Sequence, residues 1–351
     1  MVEAIDVGGR LVGPGEPCYI IAEAGVNHNG DLELARQLID VAVKAKADAV
    51  KFQTFKAELV AVTNAPKAEY QMETTNTSES QLDMIKSFEL PPEAFAELQS
   101  YCQERGVTFI STPYDHQSVD LLDELDVPAF KLASAEIVNH PLLRYVARKG
   151  RPIILSTGMS YLSEVESAVR TILDTGNSQL MLLHCVSNYP APSTDVNLEA
   201  MKTLSQAFDV PVGYSDHTRG LEVAYAAVAL GASAIEKHFT LDKLMPGPDH
   251  RASMEPEELS RLVQGIRSVE SALGNGVKVP MDSEKGNRAT MRRSLYTKLN
   301  LDVGTILKDE DLIALRPGSG ISPDQIDAVV GRKVRQAIST GSALAWSDLE
   351  G

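Results

Sequence analysis

Two short segments carry the side chains with the clearest chemical potential. The segment GYSDHTRG (213–220) holds Ser215 and His217 two residues apart, and the segment SAIEKHFT (233–240) holds His238. A Ser/His/Asp triad is assembled from distant parts of a chain, so adjacent residues of these types argue against a hydrolase. Residues two apart on a strand project to the same side. Ser215 and His217 are therefore predicted to point together into one cavity.

The two histidines suggest a metal site. If their strands are neighbours in a sheet, a strand spacing of about 4.8 Å lets both imidazoles meet at one metal ion. The alternative is that His217 and His238 are two buried, hydrogen-bonded histidines. No third His or Cys is placed to complete a closed structural zinc site. The pattern therefore favours an open, catalytic coordination sphere that is rich in oxygen ligands.

Cationic and hydroxyl side chains follow several other apolar runs. Lys51 and Lys131 offer two positive charges, and Ser134, Ser156 and Ser215 offer hydroxyl groups. Such a set can cradle a phosphate or a carboxylate. The alternative for any single serine is a small residue that permits the turn from strand to helix. Taken together with both lysines, the set favours an anion site.

Eight apolar runs precede these side chains and alternate with amphipathic segments of helical period. The runs are 19–25, 49–54, 107–113, 129–134, 152–158, 179–185, 211–218 and 233–240. Eight β/α units in a row predict an α/β protein with a (β/α)8 TIM barrel, whose active site lies at the C-terminal ends of the strands. A doubly wound open sheet is the alternative, but its usual glycine motif is missing from the first βα turn.

Polar residues stand at every predicted strand end, where core-facing positions would otherwise be apolar. Pairs spaced by two are predicted to line one cavity, namely Lys51/Gln53, Ser134/Glu136, Ser215/His217 and Glu236/His238. Residues 55–90 form an unusually long polar connection, which is predicted to cover one end of the barrel. The loop GPDHRAS (247–253) brings Asp249 to the same rim, either as solvated surface or to grip a substrate.

Composition narrows the class of protein. The net charge of −15 argues against a nucleic-acid partner, although it leaves small anions possible as ligands. No apolar run approaches the roughly 20 residues that span a bilayer, so no membrane partner is expected. Three scattered cysteines argue against a disulfide framework and fit a reducing cytoplasm. The N-terminal residues lack the pattern of a secretory signal.

The pattern changes after the eighth unit. We predict a catalytic barrel over 1–273, a polar linker over 274–285 and a small, mostly β domain over 286–351. A weak repeat relates LDVGTILKDEDL (301–312) to ISTGSALAWSDL (338–349). Each copy is predicted to form a hairpin-like corner, because a glycine between apolar positions suits a tight turn.

These motifs together resemble those of the bacterial sialic acid synthase family along nearly the whole chain. The matching stretches are IIAEAGVNHNGDLELA, VKFQTF, STPYD, FKLASAEI, LSTGM, LLHCVSNYPAP, VGYSDHT, IEKHFTLD, GPDH, RRSL and LRPGSGI. The resemblance implies a TIM barrel with a C-terminal SAF domain, also called antifreeze-like or β-clip. It implies condensation of phosphoenolpyruvate with N-acetylmannosamine and water, giving N-acetylneuraminate and phosphate. It also implies a divalent cation, Mn2+ or otherwise Mg2+ or Co2+, and a domain-swapped homodimer.

The resemblance also assigns roles to individual residues. His217 and His238 would bind the metal. Phosphoenolpyruvate would be held by Lys51, Thr112, Lys131, Ser134, Ser156, Ser187 and Ser215. Ser187 is a departure, because relatives often have another small polar residue at this position. The sugar would be held by Gln53, Tyr189, Asp249 and Glu23, and Arg316 would reach the partner subunit's active site to contact the N-acetyl group. Glu136 would deprotonate the attacking water, and Lys51 and Lys131 would stabilise the developing charge.

Two other functions remain open at this stage. A legionaminic acid synthase, acting on 2,4-diacetamido-2,4,6-trideoxymannose, would keep much the same catalytic set. The pseudaminic branch is disfavoured because it tends to depart from AEAGVNHNG and GPDH. A non-catalytic sugar-binding barrel is the alternative from a different class, and the intact set of lysines, hydroxyls and histidines argues against it.

Overall fold

The eight apolar runs form a closed parallel barrel in the computed structural model of the protein, which describes residues 2–75 and 79–350. An antiparallel hairpin comes first, made of β1 (Ile5–Val7) and β2 (Arg10–Val12). The barrel strands are β3 (Tyr19–Gly25), β4 (Ala49–Thr54), β5 (Thr108–Pro113), β6 (Phe130–Leu132), β7 (Ile153–Ser156), β8 (Leu180–Cys185), β9 (Val212–Asp216) and β10 (Ala234–His238). Strand β10 pairs with both β9 and β3, which closes the barrel. The predicted TIM barrel is confirmed.

Helices follow the barrel strands, and the longer ones pack around the outside of the barrel because each presents an apolar stripe to it. In chain order they are α1 (Leu32–Ala45), α2 (Ala57–Val60), α3 (Glu69–Thr74), α4 (Gln81–Lys86), α5 (Pro92–Arg105), α6 (His116–Glu124), α7 (His140–Ala147), α8 (Leu162–Leu173), α9 (Glu199–Phe208), α10 (Glu222–Ala229) and α11 (Pro256–Leu273). In α1, for example, Leu38 and Ile39 are fully buried in the core that the helices share with the outer faces of the strands. Asp31 caps this helix by accepting from the backbone N–H of Glu33 at 2.7 Å.

The inward faces of the strands change from apolar to polar along the barrel axis. Near the N-terminal ends, Tyr19, Ile21, Ala49 and Ile154 pack with side chains of the β1–β2 hairpin, such as Ile5, in a second buried cluster. The hairpin packs against this end. The inward positions that follow, two residues further along, are the polar ones that the sequence singles out.

Residues 55–90, which we call the cover segment, contain α2, α3 and α4 in place of a featureless loop. Its two ends are tied together by Glu89, whose carboxylate accepts from Lys56 Nζ at 2.8 Å and from the Ala57 N–H at 2.9 Å. The Lys56 N–H also donates to Asp115 Oδ2 at 3.0 Å. These bonds hold the segment to its neighbours at the C-terminal end of the barrel.

The chain divides into two compact units, Met1–Gly274 and Asn275–Gly351. The second unit contains α12 (Lys285–Met291), β11 (Ser294–Thr297), β12 (Leu312–Leu315) and α13 (Ile326–Val329). It has its own apolar core. In the residues described, no helix is long and apolar enough to cross a membrane.

The weak repeat has a structural counterpart in the second unit. Gly304 and Gly341 both have positive φ, 82° and 75°. Asp311 and Asp348 both accept from a backbone N–H three residues earlier, at 2.9 and 2.8 Å. The copies differ from the expected hairpin corners, because Leu301 of one copy pairs in antiparallel fashion with its counterpart Ile338 of the other. The repeat therefore builds one small domain from two interlocking halves.

Candidate active site

A cavity of about 420 Å³ opens at the C-terminal ends of the barrel strands. This volume lies in the range of small-molecule sites. Its lining includes thirteen of the predicted site residues, which are Glu23, Lys51, Gln53, Thr112, Lys131, Ser134, Ser156, Ser187, Tyr189, Ser215, His217, His238 and Asp249. Barrel closure brings these residues together from eight different strands and the loops that follow them.

The floor of the cavity holds both lysines around one carboxylate. Lys131 Nζ lies 3.5 Å from Glu236 Oε1 and Lys51 Nζ lies 3.7 Å from Glu236 Oε2. Lys131 also donates to Ser156 Oγ at 2.7 Å, and Ser215 Oγ donates to Glu236 Oε1 at 2.9 Å. Burial alone would raise the pKa of Glu236, but Lys131, Lys51 and the Ser215 hydroxyl outweigh burial and hold it at about 2. Glu236 is therefore ionised and keeps both ammonium groups in place.

A second carboxylate, Glu23, lies on the other side of Lys51. Lys51 Nζ is 2.9 Å from Glu23 Oε2 and donates to Thr112 Oγ1 at 3.1 Å. Gln53 Nε2 donates to Glu23 Oε1 at 3.3 Å. Burial raises the pKa of Glu23 to about 7, despite the attraction of Lys51. A carboxyl with such a pKa can exchange a proton near neutral pH.

The raised pKa of Glu23 predicts a pH dependence of stability in the metal-free protein. The folded state retains a proton between pH 4.5, the ordinary pKa, and about 7, whereas the unfolded chain releases it. This contribution is fully present below pH 4.5 and is lost as the pH rises through 7. It corresponds to about 3 kcal/mol of unfolding free energy. Glu23→Gln should therefore gain stability relative to the wild type as the pH rises.

Urea unfolding at several pH values, in the presence of a chelator, checks this expectation. Acids remote from Glu23 titrate equally in both proteins, so the difference between the two curves reports on Glu23 together with its coupled neighbours Lys51 and Glu236. The exposed Glu33 provides the control, because Glu33→Gln should run parallel to the wild type. Parallel curves for Glu23→Gln as well would contradict the assignment.

Small side chains at the ends of β6, β7 and β8 form a tight cradle. The Gly158 N–H donates to Ser134 Oγ at 2.9 Å, and Ser134 Oγ lies 3.3 Å from Cys185 Sγ. A Cβ on Gly158 would lie 2.3 Å from Ser187 Oγ and 2.8 Å from Cys185 Sγ. Only glycine leaves room here. The cradle combines hydroxyl groups and a thiol beside the Lys131 cation, which suits a phosphate.

The two histidines stand side by side, as their strand positions predict. Their ring centroids are 5.4 Å apart, and Tyr189 packs against His217 at 4.1 Å. His217 Nδ1 donates to the Val186 carbonyl at 2.8 Å, which leaves Nε2 as the nitrogen that can face a metal. Burial would lower the pKa of His217, but Cys185 and the Val186 carbonyl outweigh burial and raise it, so Nε2 must release a proton before a metal binds. Burial lowers the pKa of His238 well below its usual range, which keeps this imidazole neutral. His238 can therefore bind a metal as it stands, and His217 can do so once it is deprotonated.

An ion pair on the outer face of β9 and β10 links the two strands that lead to the histidines. Asp216 lies opposite Lys237 on the adjoining strand, with Lys237 Nζ 2.6 Å from Asp216 Oδ2. Lys237 Nζ also donates to the Thr218 carbonyl at 2.7 Å, and the Thr218 hydroxyl donates to Asp216. Asp216 thus points away from the cavity and stabilises the strand ends that carry the histidines.

The residues present fit an open metal site. The Nδ1 atom of His238 is buried and has no hydrogen-bond partner, and Asp249 Oδ2 is 3.9 Å from it. Within residues 2–75 and 79–350, no group of three or more His, Cys, Asp or Glu side chains could enclose an ion. Two imidazoles would leave the remaining positions to water and substrate oxygens, as in catalytic sites.

Within the barrel unit, the predicted residue Glu136 lies apart from the cavity lining. Strand β6 ends at Leu132, and Ser134–Val138 form a 3-10 helix, so the spacing of two no longer places Glu136 beside Ser134. Glu136 is half-buried and accepts from Asn139 Nδ2 at 2.7 Å. Arg316 is exposed in the second unit, directly before Pro317.

The cavity also includes residues that carry no predicted role. Glu236 lies two residues before His238 on the same strand, so both side chains face inward, and this spacing indicates that Glu236 belongs to the cavity. Cys185 follows the same alternation on β8, although nothing in its neighbours marks it. Apolar residues of the cover segment, among them Phe55, Met84 and Phe88, complete the lining. No local sequence motif predicts that these apolar residues line the cavity.

Known families and proteins match this chain along nearly its whole length. The NeuB family matches residues 38–278 and the SAF domain matches residues 292–350. N,N'-diacetyllegionaminic acid synthase of Legionella pneumophila is 50% identical over 337 residues, covering 95% of each chain. The enzyme of that name from Campylobacter jejuni is 49% identical and covers 89% of this chain and 94% of its own.

A solved structure agrees with the barrel. The N-acetylneuraminic acid (sialic acid) synthetase of Leptospira borgpetersenii is 38% identical, with a TM-score of 0.72, and covers 82% of this chain and 95% of its own. The resemblance drawn from the motifs is therefore confirmed. With its parallel barrel, its lysine and histidine cavity and its second unit, the chain belongs to the NeuB family of sialic and nonulosonic acid synthases and carries a C-terminal SAF domain.

Proposed function

We propose that the protein condenses phosphoenolpyruvate with 2,4-diacetamido-2,4,6-trideoxymannose and water, giving N,N'-diacetyllegionaminic acid and phosphate. The observation that carries the proposal is the buried cluster of Lys51, Lys131 and Glu236 beside the paired histidines, in a chain 50% identical to a synthase of that name. N-acetylneuraminate synthesis from N-acetylmannosamine is the second candidate, supported by the 38% identical sialic acid synthetase. Relatives named for legionaminic acid favour the first.

The phosphoenolpyruvate subsite follows from charge. Lys51 and Lys131 oppose the phosphate and carboxylate charges, and Thr112 and Ser156, which accept from the two lysines, supply hydroxyl donors next to them. Ser215, whose hydroxyl donates to Glu236, lines the same subsite. Ser134, Ser187 and the Gly158 turn hold the phosphate oxygens. These donors are already oriented by their mutual hydrogen bonds, so little reorganisation accompanies the reaction.

The acceptor binds between this subsite and the histidines. Glu23, Gln53, Tyr189 and Asp249 line the cavity there and would hold its hydroxyl and amide groups. His217 and His238 would hold a divalent cation, with Mn2+ the first choice and Mg2+ or Co2+ the alternatives. When bound, this cation supplies Lewis-acid polarisation of the aldehyde. By resemblance, Arg316 would contact the N-acetyl group from the partner subunit of a domain-swapped dimer.

The reaction balances without any other reactant. The methylene carbon of phosphoenolpyruvate bonds to the aldehyde carbon, whose oxygen takes a proton, and an oxocarbenium centre forms at the enol carbon. Water adds to that centre and loses a proton. The C–O bond to phosphate then breaks while the new hydroxyl passes its proton to the departing phosphate, leaving an α-keto acid. Glu23 can carry a proton in this sequence because its pKa is raised to about 7. Deprotonation of the water by Glu136 remains a prediction from the resemblance.

The proposal is tested by product analysis. The full chain is incubated with Mn2+, phosphoenolpyruvate and each acceptor in turn, and released phosphate and product mass are measured. We expect turnover with the diacetamido-trideoxy sugar and less with N-acetylmannosamine. The opposite preference would establish the second candidate. Sugar binding without phosphate release from any acceptor would overturn both in favour of a non-catalytic barrel.

A further inference from the structure

The lining of the cavity separates into two chemically different parts. The barrel strands and the loops that follow them supply the floor, which holds the charged residues. The cover segment supplies the upper wall, where Phe55, Val60, Met84, Ile85 and Phe88 are apolar. The only polar wall residues among the described side chains of this segment are two glutamines. The wall that the cover segment supplies is therefore largely apolar, and its described side chains carry no charge.

The wall is held in place before any ligand binds. Met84 is 3% exposed and Phe55 is 7% exposed, and Phe55 packs edge-on against Tyr114 at 6.2 Å. Glu89 joins the two ends of the cover segment, as described above. A Cβ on Gly30 would lie 2.7 Å from the Ser87 carbonyl oxygen, so the loop after β3 closely abuts the end of α4. Such a wall is preorganised and can discriminate between ligands.

The chemistry at the floor orients the acceptor. Its C1 must meet phosphoenolpyruvate, which the lysines hold at the floor, so C6 is the end directed toward the wall. A hydroxyl group at C6 would lose water against mostly apolar side chains, where the amides of Gln71 and Gln81 are the polar partners that the described wall offers. A methyl group would gain by burial. A 6-phosphate would face no cation, because both lysines of the described lining lie at the floor, beside Glu23 and Glu236.

We propose that the apolar wall of the cover segment selects an acceptor that is uncharged and deoxygenated at C6, with Val60 and Ile85 as determinants of specificity. This inference rests on the proposed function and adds which part of the sugar is recognised, and by which side chains. The wall acts on the acceptor alone. Substitutions in the wall are predicted to leave the binding of phosphoenolpyruvate, at the opposite end of the cavity, unchanged.

The test compares two sugars that differ in a single hydroxyl, 6-deoxy-N-acetylmannosamine and N-acetylmannosamine. We expect the wild type to prefer the 6-deoxy sugar in kcat/KM by about tenfold or more, the range that one apolar group provides in a fitted pocket. N-acetylmannosamine 6-phosphate should be the poorest acceptor. In the double variant Val60→Thr/Ile85→Thr, which places hydroxyls on the wall, the preference should fall at least fivefold. The KM for phosphoenolpyruvate should stay within twofold of the wild-type value, which also reports an intact fold.

Leu59 provides a matched control on the same helix. It neighbours Val60 and is 54% exposed, but it does not line the cavity. Leu59→Thr should leave the preference between the two sugars unchanged. If the wild type prefers the 6-deoxy sugar and the double variant keeps that preference, the wall proposal is overturned while the proposed function stands. If no acceptor of any kind releases phosphate, the proposed function itself fails.

Discussion

Replacing His217 with alanine should lower metal-dependent turnover by about a thousandfold or more, since Lewis-acid stabilisation of an oxygen contributes several kcal/mol. The site has two imidazoles and no third protein ligand among the residues described, so losing one leaves a single nitrogen. Metal affinity should fall together with activity. His238→Ala is expected to behave in the same way, because its Nδ1 is buried without a hydrogen-bond partner.

Metal binding is measured directly, by electron paramagnetic resonance of free Mn2+ during titration, alongside phosphate release. His116→Ala is the control, because His116 begins helix α6 and packs on Tyr145 away from the cavity. It should bind Mn2+ with wild-type affinity. A His217→Ala variant that binds Mn2+ as tightly as the wild type, or keeps its turnover after chelation, would refute the metal assignment.

Replacing Lys131 with methionine should reduce kcat/KM for phosphoenolpyruvate by about 100- to 1000-fold, the effect of removing one preorganised charge partner. Lys131 is 2% exposed, donates to Ser156 and lies 3.5 Å from Glu236. Methionine keeps the bulk of the side chain and removes its charge. Glu236 would then lose one of the two ammonium groups that neutralise it, and its carboxylate would repel the anionic substrate.

Lys237 offers a matched control for this experiment. It is also buried, at 3% exposure, but it points to the outer face of the barrel and pairs with Asp216. Lys237→Met should lower the free energy of unfolding by about 3–5 kcal/mol, because it leaves a buried carboxylate without its partner. Its KM for phosphoenolpyruvate should nevertheless stay close to that of the wild type. An unchanged KM in Lys131→Met would show that phosphoenolpyruvate binds elsewhere.

Alternation along single strands explains why much of the site was predictable. Lys51 and Gln53, Ser215 and His217, and Glu236 and His238 each share a face because the side-chain period of a strand is two. That period is local and does not depend on the rest of the fold. For the same reason, eight apolar runs in order were enough to predict the barrel and the end at which the polar residues meet.

The limits of this logic appear where a strand ends. The spacing of Ser134 and Glu136 suggested a shared face, but β6 stops at Leu132 and a 3-10 helix follows. Where pairing stops is decided by the neighbouring strands and not by the residues themselves. The acceptor sugar was also beyond reach, because the motifs lie on the barrel strands while the wall comes from the cover segment.

The sequence by itself determined the barrel, the C-terminal SAF domain, the family and the side chains that face inward, because periodicity and motif order are properties of one chain read locally. The tertiary structure decided which of those side chains meet. Barrel closure places Glu236 between two lysines that are 80 residues apart in the chain and holds its pKa at about 2. It also brings the cover segment over the cavity. Such couplings depend on distances between remote strands, which no local pattern encodes.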